Sequence, residues 1–337
     1  MRNVKYSGRP SLKWLFEDAR AEVEKIVNDK DVATVVQDLN SASPEAIELL
    51  KKGQEDQDPK DDIVPVADGK SLVGAYSPTQ NEISLMKSVG YPLSSYDSLK
   101  NIGTGDPTGK NKPIVTSDRL VIDGHHRWSS IWAISGNKGQ ILVKNVRFPG
   151  SNAGEKLAKA QIAIAAKVGT PLPLAKGSGE SDNILGAGAG GVESILRTYV
   201  GQTTETGQPL LGDEYLKQVI PSQEGKTYFG LQGNETPEQA REIIIKKVSA
   251  NLGALPAPAA GSPERALMPQ FDPKVGGPKI DQVVPDLVAG NINLKSPVLG
   301  GTSTSEEGQK EGTPASPLQE SFNIERWQVL AGIKNRG

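Results

Sequence analysis

The sequence predicts an α+β chain, and three features carry that expectation. Several segments repeat apolar residues at helical spacing. Short β-rich runs cluster between residues 113 and 146 around an Asp-Gly turn. The 37 glycines and 24 prolines require long stretches of turn and extended chain between these elements.

Taken in order, residues about 10–50 read as helical, with Leu12, Leu15, Phe16, Ala19, Val23, Ile26 and Val27 on one face. A further helix opens at Ser43-Pro44-Glu45, an N-cap followed by proline, and stops near Gly53. The polar run that follows reads as a solvated loop. Ile63–Val66 reads as a short strand, and Ser77–Glu82 as a turn leading into a helix near Ile83–Val89. Residues 91–112, rich in Gly, Ser, Asn and Asp, read as loop. Pro113–Thr116 and Arg119–Ile122 read as two strands joined at Ser117-Asp118. A helix then runs from His125 to about Ile134, and another strand spans Ile141–Val146. Gly154–Val168 is an Ala-rich helix, 177–191 a mobile Gly-rich link, and Val192–Val200 a helix. Thr236-Pro-Glu-Gln239 is a capping box opening a helix to Asn251. Beyond it, 254–317 is Pro/Gly-rich around the apolar island Met268–Asp272, and 318–333 has amphipathic spacing. This gives a helical segment at 1–55, a core at 60–150, an elaboration at 151–295, a flexible linker at 296–317 and a short terminal helix at 318–337.

The net charge of −2 and a pI near 5.9 give no global basic excess of the kind that holds nucleic acid nonspecifically. With no cysteine, thiolate metal sites, disulfides and Cys nucleophiles are excluded. No apolar run reaches membrane-span length and no secretory leader is evident, so the expectation is a cytoplasmic protein without membrane association.

The chain has two histidines, and they are adjacent, in Arg119-Leu-Val-Ile-Asp-Gly-His-His-Arg-Trp128. Gly124 lets a ligand or backbone approach closely. A helix beginning at residue 125 presents unpaired N–H groups and the positive end of its dipole, which favour an anion. Arg127 adds a fork of donors suited to phosphate. His125 and His126 supply acid–base groups near neutral pH. Adjacent helical side chains diverge by about 100°, so the pair is poorly placed to chelate one metal ion. One of the two imidazoles fits a packed core position equally well, and Asp123 fits a plain helix N-cap. Trp128 and Trp132, four apart, fit the core better than a base-stacking platform. Gly103–Lys110 has the composition of a phosphate loop, but its spacing is wrong, and Asn111 stands where Ser or Thr would bind magnesium.

Ile-Asp-Gly-His-His-Arg-Trp128, with Val73-Gly-Ala-Tyr-Ser-Pro-Thr-Gln-Asn-Glu82 upstream, resembles the signatures of the ParB/sulfiredoxin superfamily. The resemblance is to its ParB-like nuclease branch, which is also similar to the free serine kinases. It covers about residues 60–150 and implies a compact α/β core with a small mixed sheet that binds a nucleotide. Gln80, Asp123, Gly124, His125, His126 and Arg127 would hold the cofactor, a nucleoside di- or triphosphate, ATP foremost, with magnesium. Glu82, His125 and His126 would be catalytic, with Glu82 as the base. The implied activity is phosphoryl transfer, nucleotide hydrolysis or nuclease action, with DNA as a candidate partner. Two departures matter. ParB partition proteins carry Glu-Arg-Arg where this chain has His-His-Arg, and they add a helix-turn-helix that is not evident here. Sulfiredoxin chemistry needs a cysteine that this chain lacks. The tail from Ser321 to Ile333 is similar to tails on proteins of large marine bacteriophages, which would place the chain in a host cytoplasm or a virion. A binding module whose partner docks on 318–337, and a virion structural component, stand as the alternatives to an enzyme.

Overall fold

A computed structural model describes residues 12–55, 58, 60–168, 182–264, 267–268 and 280–295. The linker and terminal helix expected from residue 296 onward lie outside the described residues. So do residues 177–181 of the Gly-rich link and 269–272 of the apolar island.

The protein is α+β, with a five-stranded mixed sheet between two helical layers. The strands are β1 (Val66–Leu72), β2 (Ser77–Pro78), β3 (Ile114–Ser117), β4 (Leu120–Asp123) and β5 (Gln140–Val146), in the order β1-β5-β3-β4-β2. β1 pairs with β5 and β3 with β4 in antiparallel fashion, whereas β3–β5 and β2–β4 are parallel. Alternation along the strands sends neighbouring residues to opposite faces. Ile114 and Val121 enter one hydrophobic core, while Val115 and Ile122 enter the other.

On the Val115 face lie α1 (Leu12–Asn28), α2 (Val32–Ser41), α3 (Pro44–Leu49), α7 (Ala153–Val168) and α11 (Ile280–Ala289). The N-terminal helices and two distant later ones thus share a single core. On the Ile114 face lie α4 (Leu85–Val89), α5 (Tyr96–Asn101), α6 (His125–Ser135), α8 (Gly188–Tyr199), α9 (Asp213–Val219) and α10 (Pro237–Leu252). Trp128 and Trp132 of α6 are buried here, their rings 5.3 Å apart, and their indole N–H groups donate to Val73 O and Asn251 O. They are core residues.

The caps read from sequence are present. Ser43 Oγ accepts the Ala46 amide, and Thr236 with Gln239 forms the reciprocal capping box of α10. Four expectations need correction. The strand expected at 63–66 begins at Val66 and runs to Leu72, because β5 supplies its register. As an edge strand, β1 is mostly exposed and carries no apolar signal. The segment 91–112 contains α5, capped by Ser95 and anchored by one buried residue, Leu99. α8 begins at Gly188, four residues early, in glycines that propensity alone disfavours. α9 and α11 were not expected; α11 contains Pro285, which ordinarily stops a helix. Part of the Pro/Gly-rich stretch wraps its own domain: Ala259 N–H donates to Pro78 O, and Ala153 N–H to Ala260 O. Among the described residues no helix is long and apolar enough to cross a membrane.

Candidate functional site

The site is built where β4 ends. Asp123 closes the strand, and Gly124 turns the chain at φ +93° into α6, a left-handed conformation that side chains rarely adopt. Gly124 is itself the N-cap, and no side chain caps the helix. The expectation of Asp123 as N-cap is corrected: the turn places it one residue too early. Trp128 N–H donates to Gly124 O as the first helical bond, so the amides before it lie in the first turn, where no intrahelical acceptor exists.

The two imidazoles diverge, as their spacing requires. His125 is buried against the end of β2. Thr79 N–H donates to His125 Nε2 at 3.1 Å, while Thr79 Oγ1 donates to Val121 O at 2.6 Å. An amide can only donate, so Nε2 is an acceptor and the proton of the neutral ring sits on Nδ1. His125 thereby ties the Pro-Thr-Gln turn to the start of α6. His126 points elsewhere, into a cleft of about 220 Å³.

Of the residues lining that cleft, Ser130 and Pro107 are buried, and His126, Arg127 and Thr108 half-buried. Lys87, Tyr91 and Glu205 stand at its exposed rim. The Tyr91 hydroxyl donates to Glu205; partial burial first, then that carboxylate, raises its pKa above the ordinary phenol value. Glu205 is the one carboxylate among these lining residues. No cluster of three or more His, Asp or Glu suited to a metal occurs among the described residues.

Arg127 is held from one side. Its Nη1 donates to Lys112 O at 2.6 Å and Pro113 O at 2.9 Å, and the guanidinium lies over Gly124. A Cβ at Gly124 would approach Nη2 to 2.8 Å. Nε and Nη2 have no hydrogen-bond partner among the described residues, so half of the fork stays available. The carbonyls that hold Arg127 are fixed by Asp106, a buried residue that sequence reading passed over. Asp106 accepts the Thr108 amide at 3.0 Å and the Lys112 amide at 2.7 Å, and both its oxygens accept the Thr108 hydroxyl. The Gly103–Lys110 loop is therefore an aspartate-centred turn supporting Arg127, with Gly105 O accepting from Leu142 N–H of β5.

Comparison with protein-family models, curated proteins and solved structures finds no match.

Of the residues singled out from sequence, His126 and Arg127 meet at the cleft, and Gly124 packs under the Arg127 guanidinium. Gln80 is buried, its amide donating to Glu82 O, and Glu82 keeps a buried Oε2 without a hydrogen-bond partner. Neither lines the cleft among the described residues. Sequence reading missed Lys87, Tyr91, Thr108, Ser130 and Glu205. Ser130 alone left a signal, lying four residues after His126 on the same helical face.

Proposed function

We propose that this chain is a ParB/sulfiredoxin-like protein that binds a nucleotide through the Gly124–Arg127 turn and carries out phosphoryl transfer or nucleotide hydrolysis there. One observation carries the reading: Gly124, in a left-handed turn under the Arg127 guanidinium, starts α6 so that Arg127 brings an unspent half-fork to a cleft. Helix N-termini and arginine forks both favour phosphate. His126 is the acid–base group in the cleft, suited to take a proton from an attacking hydroxyl or water. His125 positions the turn through Thr79. Glu82 lies outside the cleft lining and serves, in this reading, on the Thr79 side of the turn. The donor set suits magnesium arriving with the nucleotide, since such ions commonly take one or two carboxylates plus substrate phosphates, and Glu205 is the carboxylate at hand. DNA is a candidate acceptor or substrate of the same chemistry.

The test is a thermal-shift titration with ATP and ADP, with and without magnesium. Ligand binding should raise the melting temperature by mass action, and Arg127→Ala should abolish the rise. Phosphate release, or cleavage of added DNA, should be lost in His126→Ala. Absence of any shift at millimolar nucleotide would overturn the proposal. A second reading, a nucleotide-dependent clamp without turnover, draws on the scaffold bonds already made by Arg127 Nη1 and His125 Nε2. Tight binding with no phosphate release would select it, and the terminal segment 318–337 would then be the place to seek a partner.

A further inference from the structure

Ser130 poses a problem that the fold alone does not solve. It is 3% exposed, and its Oγ is buried with no hydrogen-bond partner among the described residues. Buried polar atoms are paired in the great majority of cases, and leaving one orphaned costs roughly 1–3 kcal/mol. A mid-helix serine ordinarily returns its proton to a carbonyl one turn back. Its neighbour Ser129 does so, donating to His126 O at 3.2 Å, and also meets Ser88 Oγ at 2.7 Å. Ser130 has neither bond. Instead it is one of the residues lining the cleft, on the face of α6 that carries His126 and Arg127.

We infer that Ser130 is a phosphate-contacting residue, and that the cleft takes the phosphate chain of its ligand while the nucleoside lies outside. The inference rests on the reading of the Gly124–Arg127 turn as a phosphate site. The Ser130 hydroxyl and the free edge of Arg127 are the cleft's groups for phosphate oxygens. The opposing charge, Glu205, sits at the exposed rim and is engaged by Tyr91. Size points the same way. A cleft of about 220 Å³ is smaller than the roughly 300–1,000 Å³ of pockets that enclose a whole drug-sized ligand. A di- or triphosphate chain fits where a complete nucleotide does not. The ligand class is therefore a polyphosphate chain recognised without reading of the base.

The experiment titrates the full chain with inorganic pyrophosphate, ATP and GTP by calorimetry, alongside melting curves of the free proteins. Wild type should bind all three within about tenfold of one another. Ser130→Ala should weaken each by about tenfold, the loss of one hydrogen bond to a charged group. Its free melting temperature should hold or rise, because an orphaned hydroxyl has been removed. Ser130→Cys, nearly isosteric but a poor donor, should weaken binding likewise and guards against a folding defect in the alanine variant. Wild-type affinity in both variants, with Arg127→Ala losing binding, would overturn the role of Ser130 and leave the phosphate turn standing. ATP binding more than a hundredfold tighter than pyrophosphate would overturn the exclusion of the nucleoside. No binding of any probe by wild type would remove the phosphate site and this inference together.

Discussion

Replacing Gly124 by alanine tests the turn on which the site depends. The residue sits at φ +93°, ψ +26°, where a side chain costs roughly 1–2 kcal/mol. The new methyl would also stand 2.8 Å from Arg127 Nη2 and 3.2 Å from its Cζ. The guanidinium must move, which puts at risk the two bonds from Nη1 to Lys112 O and Pro113 O. Hydrogen bonds of a charged donor contribute about 1.5 kcal/mol or more each. The expected loss is therefore about 2–4 kcal/mol, a fall of several degrees in melting temperature for a chain of this size. A double-mutant cycle with Arg127→Ala separates the two parts. Without the guanidinium the contact disappears, so Gly124→Ala should then cost only the backbone share, and the two effects should fall short of additivity by about 1–2 kcal/mol. Denaturant melts of the four proteins read this directly. A single-mutant cost below about 0.5 kcal/mol, or strict additivity in the cycle, would refute the geometry.

Three further outcomes follow from the same structure. The histidines should separate by role: His125→Ala, which strips the Thr79 amide of its buried acceptor, should cost about 2–3 kcal/mol in urea melts, and His126→Ala about 1 kcal/mol or less. Equal costs would contradict the division into positioning and cleft residues. Asp106→Ala releases the Thr108 and Lys112 amides, so hydrogen exchange at both should accelerate and stability should drop by about 2–4 kcal/mol; unchanged exchange would show that the loop has other supports. Lys159, whose ammonium donates to Val27 O and to Leu294 O at 2.7 Å, has its pKa lowered from 10.5 to about 8, by burial above all, against the opposing pull of Asp62 and Glu155. The native state then gives up this proton near pH 8 and the unfolded state near 10.5. Between those values the unfolded chain binds more protons, and this group adds stability as pH rises. Relative to Lys159→Met, the wild type should gain about 1–2 kcal/mol across that window, after allowance for partial solvent screening. A flat or falling difference would show that the amine is not so desolvated.

Much of this protein is written locally, in residues that fix their own surroundings. Helix starts were legible at Ser43 and Thr236, where a capping residue and an apolar period coincide, while the start of α2 at Asp31, equally capped, was passed over. The Asp-Gly-His-His-Arg run marked a strand–turn–helix because Gly124 alone tolerates the required conformation, and because the spacing of His125 and His126 forces them apart. Other parts depend on partners far along the chain. β1 is a strand because β5 pairs with it, not because its own residues prefer one. α11 persists around Pro285 because Ile280, Val283 and Leu287 are buried in a core shared with the N-terminal helices. The same holds at the site. Nothing near Arg127 in sequence announces that Lys112 and Pro113 will hold it, or that Asp106 will hold them. Nor does the chain foretell that Lys87 and Glu205 will meet across one cleft. Backbone conformation and capping act within a few residues and so are read from short strings. Burial and hydrogen-bond partnership join positions brought together only when both faces of the sheet are covered, and they come into view with the folded chain.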